Sequence, residues 1–313
     1  MRHLFLMDPI EEIRVDLDST FALMLEAQGR GHQVLYAQTR DLYGRDGRAR
    51  AMAHEVHLTP TQGEHAHLQG SADLDLADVD AVWMRKDPPF DMDYIFATYL
   101  LDLAAENTLV VNHPEGLRSF NEKAWALQFT DLVPESLVTQ SQEQLREFAE
   151  DLGSIVVKPL DGNGGAGVFI VRSDDPNIGV ILEMSTDHGA TKVLAQRYLP
   201  EAREGDKRII LVDGKPVGAC LRVPTGVDHR GNIHVGARCE RAEITSRDHE
   251  ICRQIGPALK EAGQIFVGID VIGDWLTEVN VTSPTCIHEI NALDEVRIDQ
   301  MILDAVMERS ESR

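Results

Sequence analysis

Asp270, Glu278 and Asn280 are three oxygen-bearing side chains set into two adjacent apolar runs of the segment from Gly268 to Thr285. Residues two apart on a strand point to one face, so Glu278 and Asn280 share a face, and a tight turn at Gly273-Asp274 brings Asp270 beside them. Carboxylate and amide oxygens with no Cys or His suit Mg²⁺, with Mn²⁺ the neighbouring choice, and leave the ion's other positions to water and phosphate. The plainer alternative is a hairpin whose polar residues face solvent. A second constellation is the loop Asp161-Gly162-Asn163-Gly164-Gly165-Ala166-Gly167, between the apolar runs Ser154 to Lys158 and Val168 to Val171. Glycines let backbone N–H groups approach phosphate oxygens closely. The Gly-Lys-Ser/Thr and helix of a Walker loop are missing, so this loop reads as the tip of a hairpin. Lys158 favours a nucleotide role over a merely flexible tip, because an ammonium in an apolar strand needs an anion.

Other chemistries find less support. No Ser-His-Asp or Cys-His arrangement stands out. The four cysteines, Cys220, Cys239, Cys252 and Cys286, lack C-x-x-C spacing and read as buried, reduced thiols, with Cys286 a packing residue. His54, His57, His65 and His67 resemble a metal site by composition alone, and their irregular spacing in a Gly/Gln-rich stretch predicts a solvated loop. A net charge of −22 over 313 residues opposes a nucleic-acid partner, which demands a cationic face, and excludes a polybasic membrane anchor. So large an acidic excess points to a salt-rich cytoplasm, where counterions screen self-repulsion. The longest apolar runs are strand-sized and His3 to Met7 is too short for a signal segment, so a cytoplasmic location is expected.

The elements that must position these groups fall into three stretches of a chain whose 43% hydrophobic and 26% charged composition is ordinary for a globular enzyme. Residues 1–120 alternate strand and helix: Leu4 to Met7, a helix capped at Asp18-Ser19 and closed at Gly29 to Gly31, then Gln33 to Ala37, Ala81 to Met84 and Thr108 to Asn112. That order predicts a doubly wound parallel sheet, and without G-x-G-x-x-G no dinucleotide site is indicated. Residues 121–200 carry a helix opening at Asn121, a strand Glu135 to Thr139, a helix Leu145 to Leu152 behind the capping box Ser141-x-x-Gln144, and the glycine loop. Residues 201–313 turn to antiparallel sheet: Lys207 to Val212 and Lys215 to Arg222 form a hairpin at Asp213-Gly214. The loop Val223 to Arg238, a helix from the capping box Thr245-x-x-Asp248 to Ala262, the metal-ligand strands and a closing amphipathic helix from about Asp294 to Glu308 complete the chain. The fold class is α/β (α+β).

Four segments, Met84-Arg-Lys-Asp-Pro-Pro-Phe-Asp91, Lys158-Pro-Leu-Asp-Gly-Asn-Gly-Gly-Ala-Gly167, Gly205-Asp-Lys-Arg208 and Thr277-Glu-Val-Asn-Val-Thr-Ser-Pro-Thr-Cys286, together resemble bacterial glutathione synthetase, of the ATP-grasp superfamily. The resemblance runs in the family's order over nearly the whole chain. It implies an N-terminal Rossmann-like pre-ATP-grasp domain followed by an ATP-grasp fold of two α+β subdomains, and a ligase that joins γ-glutamylcysteine to glycine with ATP, releasing ADP and phosphate. By the same resemblance Lys123 and Lys158 hold nucleotide phosphates, Asp161, Gly162, Gly164, Gly165 and Gly167 form the lid over them, Gln196, Tyr198 and Leu199 line the adenine slot, and Asp206 lies near the nucleotide. Asp270, Glu278 and Asn280 match the family's magnesium ligands. The resemblance further implies that Arg208 and Arg222 are the catalytic arginines and that with Arg85, Arg230 and the turn Ser283-Pro284-Thr285 they bind the peptide and glycine carboxylates. The loop Val223 to Arg238 corresponds to a closing loop, and the family suggests a homotetramer. Arg197 and His288 depart from the pattern, standing where Asn and Arg are expected.

Two rival readings remain at this stage. One is another ATP-grasp carboxylate–amine ligase, of glutamate-adding or D-Ala-D-Ala type, distinguished by the carboxylate-binding set around Arg85 and Ser283 to Thr285. The other is a non-catalytic ATP-binding regulator, against which the complete ligand set Asp270, Glu278 and Asn280 argues.

Overall fold

The computed structural model describes residues 1–162, 164–224 and 238–313. The first part holds β1 (Arg2–Leu6), α1 (Ser19–Gly29), β2 (Gln33–Ala37), β3 (Leu42–Arg45), β4 (Arg48–Leu58), β5 (Ala66–Asp75), β6 (Ala81–Met84), α2 (Met92–Ala105), β7 (Leu109–Val111) and α3 (Pro114–Ser119). These strands form one seven-stranded sheet, in which β2, β1, β6 and β7 are parallel neighbours. Side-chain alternation divides its core. Leu4, Leu6, Val82 and Met84 face α2 through Tyr94 and Leu101, while Phe5, Tyr36 and Trp83 face Phe21, Leu23 and Met24 of α1. The sheet is thus covered on both faces, as the strand–helix alternation predicts. Asp18 caps α1 by accepting from the Phe21 N–H at 2.7 Å.

The predicted loop around the histidines is wrong. His54 and His57 lie on β4 and His67 on β5, an antiparallel pair in which His57 stands opposite His67. His65, just before β5, is buried, with Nε2 2.6 Å from the Ile10 carbonyl. The alternation that makes β4 a strand is written largely in small residues, Ala49, Ala51 and Ala53, and is shifted at His54/Glu55 by a bulge.

The second part contains β8 (Ser136–Thr139), α4 (Gln142–Leu152), β9 (Ser154–Pro159), β10 (Phe169–Arg172), α5 (Ile178–Ser185) and β11 (Val193–Arg197). Its strands form an antiparallel sheet in the order β10-β9-β11-β8. The helix predicted from Asn121 is instead a turn that tightens to one 3₁₀ segment, Trp125–Gln128. Asn121 Oδ1 takes the N–H groups of Lys123 and Ala124, competing with helical bonding, and Trp125 stacks on Phe120 and meets Phe129 edge-on. Leu145, Ala149, Ile155, Val157, Val171, Ile178, Leu182, Val193 and Ala195 form a core of this part's own.

The third part contains β12 (Asp206–Val212), β13 (Lys215–Val223), β14 (Arg238–Arg241), α6 (Ser246–Glu261), β15 (Phe266–Ile272), β16 (Trp275–Asn280), α7 (Ile287–Asp294) and α8 (Ile298–Glu311). The antiparallel order is β14-β13-β12-β15-β16. The expected capping box at Thr245 and Asp248 is present; the predicted closing helix is α8, starting at Ile298 rather than at Asp294, and a further helix, α7, precedes it where none was predicted. Ile209 and Leu211 join the core on one face of the N-terminal sheet, and Ile210 and Val212 join the other. Asn112 fastens the two parts: its amide donates to the carbonyls of Phe266 and Val281, each at 2.7 Å, and its Oδ1 accepts from the Phe266 N–H at 3.0 Å. Among the described residues no helix is long and apolar enough to cross a membrane.

Candidate active site

Residues of the central and C-terminal sheets line a cleft of about 1130 Å³. Its floor is the β15–β16 hairpin, whose register sets Asp270 opposite Glu278 and Gly268 opposite Asn280. Asp270 is 3% exposed, and both its oxygens are engaged. Arg208 grips it with two bonds, Nε to Oδ1 at 2.6 Å and Nη2 to Oδ2 at 3.0 Å, while Arg222 Nη2 lies 2.9 Å from Oδ2 and the Asn280 amide donates to the same oxygen at 3.3 Å. Burial works to raise the Asp270 carboxyl, yet the two guanidinium groups hold it well below the usual carboxylate range. Arg222 also pairs with Asp206. Asp206 nevertheless rises to about 7, first because it is buried, with Arg222 opposing and Asp270 adding to the rise.

Lys123 stands at one end of this floor, 3% exposed, with Nζ bonded to Glu122, 2.6 Å from the Gly162 carbonyl and 3.9 Å from Glu278 Oε1. Burial alone lowers an ammonium; Glu278 and Glu122 reverse that and raise Lys123. Glu122, which sequence reasoning missed, rises to about 7 through burial and then the Glu278 charge. Nothing in its local sequence marks it, because its partners arrive from β16 and the glycine loop. The loop's Gly162, Gly164, Gly165 and Gly167 line the cleft, and Asp161 lines a small hollow beside it with Asn121 and Glu122. Lys158 is half-buried on β9 and lines the cleft, and its Nζ donates to Gln196 Oε1 at 3.1 Å.

Gln196, Tyr198 and Leu199 also line the cleft. Phe169 and Ile170 on β10, 43% and 40% exposed, add an apolar wall that sequence reasoning left as plain strand. The available signal was an apolar pair directly after a glycine loop. At the other end Ser283 and Thr285 face the cleft, and Pro284 lies behind them. Arg85 is buried there, donating to Thr20 Oγ1 at 3.0 Å and to the Pro284 carbonyl at 2.9 Å, with its guanidinium 4.9 Å over the Phe266 ring. It therefore grips the turn from behind. Arg230 lies outside the described residues, as does most of the predicted closing loop, 225–237. Of the two departures, Arg197 pairs with Glu135 at 2.9 Å and lies over Trp275, and the His288 ring is 3.0 Å from the Asp18 carbonyl. Neither lies between the metal-ligand candidates.

This donor set fits a hard cation. It is made of oxygen ligands only, and Asp206 Oδ1 is buried with no hydrogen-bond partner among the described residues. The arginines and lysines around it fit phosphate and carboxylate groups.

Residues 1–118 match the N-terminal domain of prokaryotic glutathione synthetase, and residues 122–295 match the ATP-grasp domain of the same family. The chain belongs to the prokaryotic glutathione synthetase family. Glutathione synthetase of Escherichia coli strain K12 is 50% identical over 305 residues, covering 97% of this chain and 96% of that protein. The family member of Salmonella typhimurium strain LT2 is 48% identical, with 97% of each covered. Among solved structures, D-cycloserine synthetase DcsG aligns over 98% of this chain and 99% of its own with a TM-score of 0.68 at 14% identity. The ATP-grasp ligase PsnB, complexed with precursor peptide PsnA2 and AMPPNP, aligns over 99% and 98% with a TM-score of 0.63 at 19% identity. These two share the family's ATP-grasp fold.

Proposed function

We propose that the cleft joins γ-glutamylcysteine to glycine at the expense of ATP, through an acyl phosphate, forming glutathione, ADP and phosphate. The observation that carries this reading is the convergence of Asp270, Glu278, Asn280, Arg208, Arg222 and Lys123 on one cleft beneath a glycine loop, in a chain of this family. Asp270, Glu278 and Asn280 are the residues to hold Mg²⁺, with Mn²⁺ able to serve. Bound there, the metal supplies positive charge against the phosphoryl oxygens.

The chain's own groups do the rest. Lys123 and Lys158 reach the phosphates from the loop side, while Gln196, Tyr198 and Leu199 with Phe169 and Ile170 enclose the base. Transfer of a phosphoryl group to a carboxylate needs alignment and charge neutralisation more than a protein nucleophile. Arg208 and Arg222 supply both from their fixed places on Asp270. Gly162, Gly164, Gly165 and Gly167, which line the cleft, are its cover, so that glycine's amine meets the acyl phosphate before water does. Ser283 and Thr285 hold a carboxylate, and Arg85 positions their turn through the Pro284 carbonyl. The three stretches 1–120, 121–200 and 201–313 then serve as support, nucleotide cover and chemical floor. A homotetramer in the cytoplasm is the setting that accords with this reading.

The test is ADP release with γ-glutamylcysteine, with and without an acceptor amino acid. Glycine is expected to support turnover, and alanine to be used about ten- to two-hundredfold less efficiently in kcat/KM, since one added methyl overpacks a closed pocket. Preference for glutamate or D-alanine moves the chain to a rival ligase, and no ADP with any acceptor leaves a nucleotide-binding protein.

A further inference from the structure

Three of the four cysteines come together although 19 and 47 residues separate them along the chain. Cys220 sits on β13, Cys239 on β14, and Cys286 directly before α7 in a left-handed backbone conformation, φ 87°. Their Sγ atoms all lie within 4.8 Å of one another, and Cys220 Sγ is 3.3 Å from Cys239 Sγ. We propose that Cys220, Cys239 and Cys286 form a binding site for a thiophilic divalent cation of the zinc class.

The geometry carries it. Sulfurs bound tetrahedrally at about 2.3 Å stand about 3.8 Å apart, so this cluster closes around an ion with small adjustments. Cys220 and Cys286 are fully buried and Cys239 is half-buried, which gives the ion a way in past one ligand. Three thiolates around a divalent cation carry one net negative charge. Hydrogen bonding from Cys220 and Cys239, with Arg208 and Arg222 behind it, draws Cys286 toward thiolate, against its burial, while Cys220 and Cys239 are held up as thiols, and give up their protons only as the ion binds. Glu289, three residues into α7 from Cys286, has a buried Oε2 with no hydrogen-bond partner among the described residues. Burial and then the Cys286 charge push its carboxyl up to about 7. A cation on the sulfurs relieves that group. As each sulfur binds, its thiol proton passes to solvent.

The oxygen-lined cleft is a separate site of opposite preference. The link between them is Cys286, which directly follows Thr285, so a bound ion ties β13, β14 and the start of α7 to the turn assigned above to carboxylate binding. That consequence rests on the ligase reading; the metal site does not.

Cd²⁺ is the probe, titrated into the reduced full-length protein in excess Mg²⁺, with thiolate-to-metal charge-transfer absorption in the ultraviolet as readout. One Cd²⁺ per chain with that absorption is expected, displaced by Zn²⁺ and indifferent to Mg²⁺. Cys239→Ser weakens it by about tenfold or more, while Cys252→Ser, which removes the buried thiol of α6, leaves it unchanged. Circular dichroism of each variant establishes that it is folded, and Cys239→Ala replaces the serine if that one is not. Absence of thiolate absorption in the wild-type protein, or equal weakening by the Cys239 and Cys252 variants, overturns the proposal. Ligase activity plays no part in the readout, so the two readings fail separately.

Discussion

Glu278 and Asn280 were legible as a pair because a strand's two-residue period needs only local sequence. Asp206 and Glu122 carry the other carboxyls of the site, and what matters about them was not legible, since it depends on which charges the fold brings close. Glu278→Gln keeps the size and hydrogen bonding of the side chain while removing a charge. Turnover is expected to fall about a hundredfold or more at saturating Mg²⁺, with the melting temperature unchanged. Near-normal activity would show that Glu278 is no metal ligand. A different residue sets part of the acid response. His3 is fully buried on β1, accepts from the Trp83 indole N–H at 3.1 Å and sits 3.0 Å from the His32 ring. Burial first, then His32, lowers it from 6.5 to about 3. Between those values the unfolded chain binds the proton that the folded chain refuses, so stability is lost as pH falls below about 6.5, by up to about 1.4 kcal/mol per unit. His3→Gln should flatten that slope between pH 6.5 and 5 in urea unfolding, and an unaltered slope would assign the loss to other groups.

At the scale of elements, local signals worked where one short stretch decides the geometry. The capping box of α6 is an example, and the Asp213-Gly214 hairpin is another. They failed where partners are distant. β5 is almost wholly exposed, and its apolar residues Ala66, Leu68, Ala72 and Leu74 are spread along it with a glycine and polar residues between them, so nothing in its residues announces a strand until β4 lies beside it. The three clustered thiols escaped for the same reason. The Gly214 turn also shows what sequence leaves hidden about a turn it predicts. Gly214 has φ 78°, and a Cβ there would lie 2.5 Å from the Gly256 carbonyl oxygen in the middle of α6. Only the first constraint can be read locally. Gly214→Ala meets both, and is expected to destabilise the protein by about 1–3 kcal/mol with kcat nearly unchanged, because the β12–β13 turn lies away from the cleft. A loss of under about 0.5 kcal/mol in denaturant unfolding would show that α6 yields easily.

For the whole molecule the acidic excess acts everywhere at once. With 52 acidic and 30 basic side chains, the folded chain gathers charge that the unfolded chain disperses, so added salt screens more repulsion in the compact state. The melting temperature is expected to climb steadily from low to molar KCl, and a flat profile would remove the salt-adapted reading. The hydrophobic cores divide the molecule differently from the chain's linear order. The first and last parts share two continuous cores and the Asn112 fastening, while the central sheet keeps a core to itself. Amide exchange should therefore have two tiers. The β9 and β11 amides should trade deuterium through an opening confined to residues 136–197, while those of β12 and β15 should wait for global unfolding. Nucleotide, by bridging the seam, should merge the tiers into one, so that the central sheet borrows the slowest clock in the molecule.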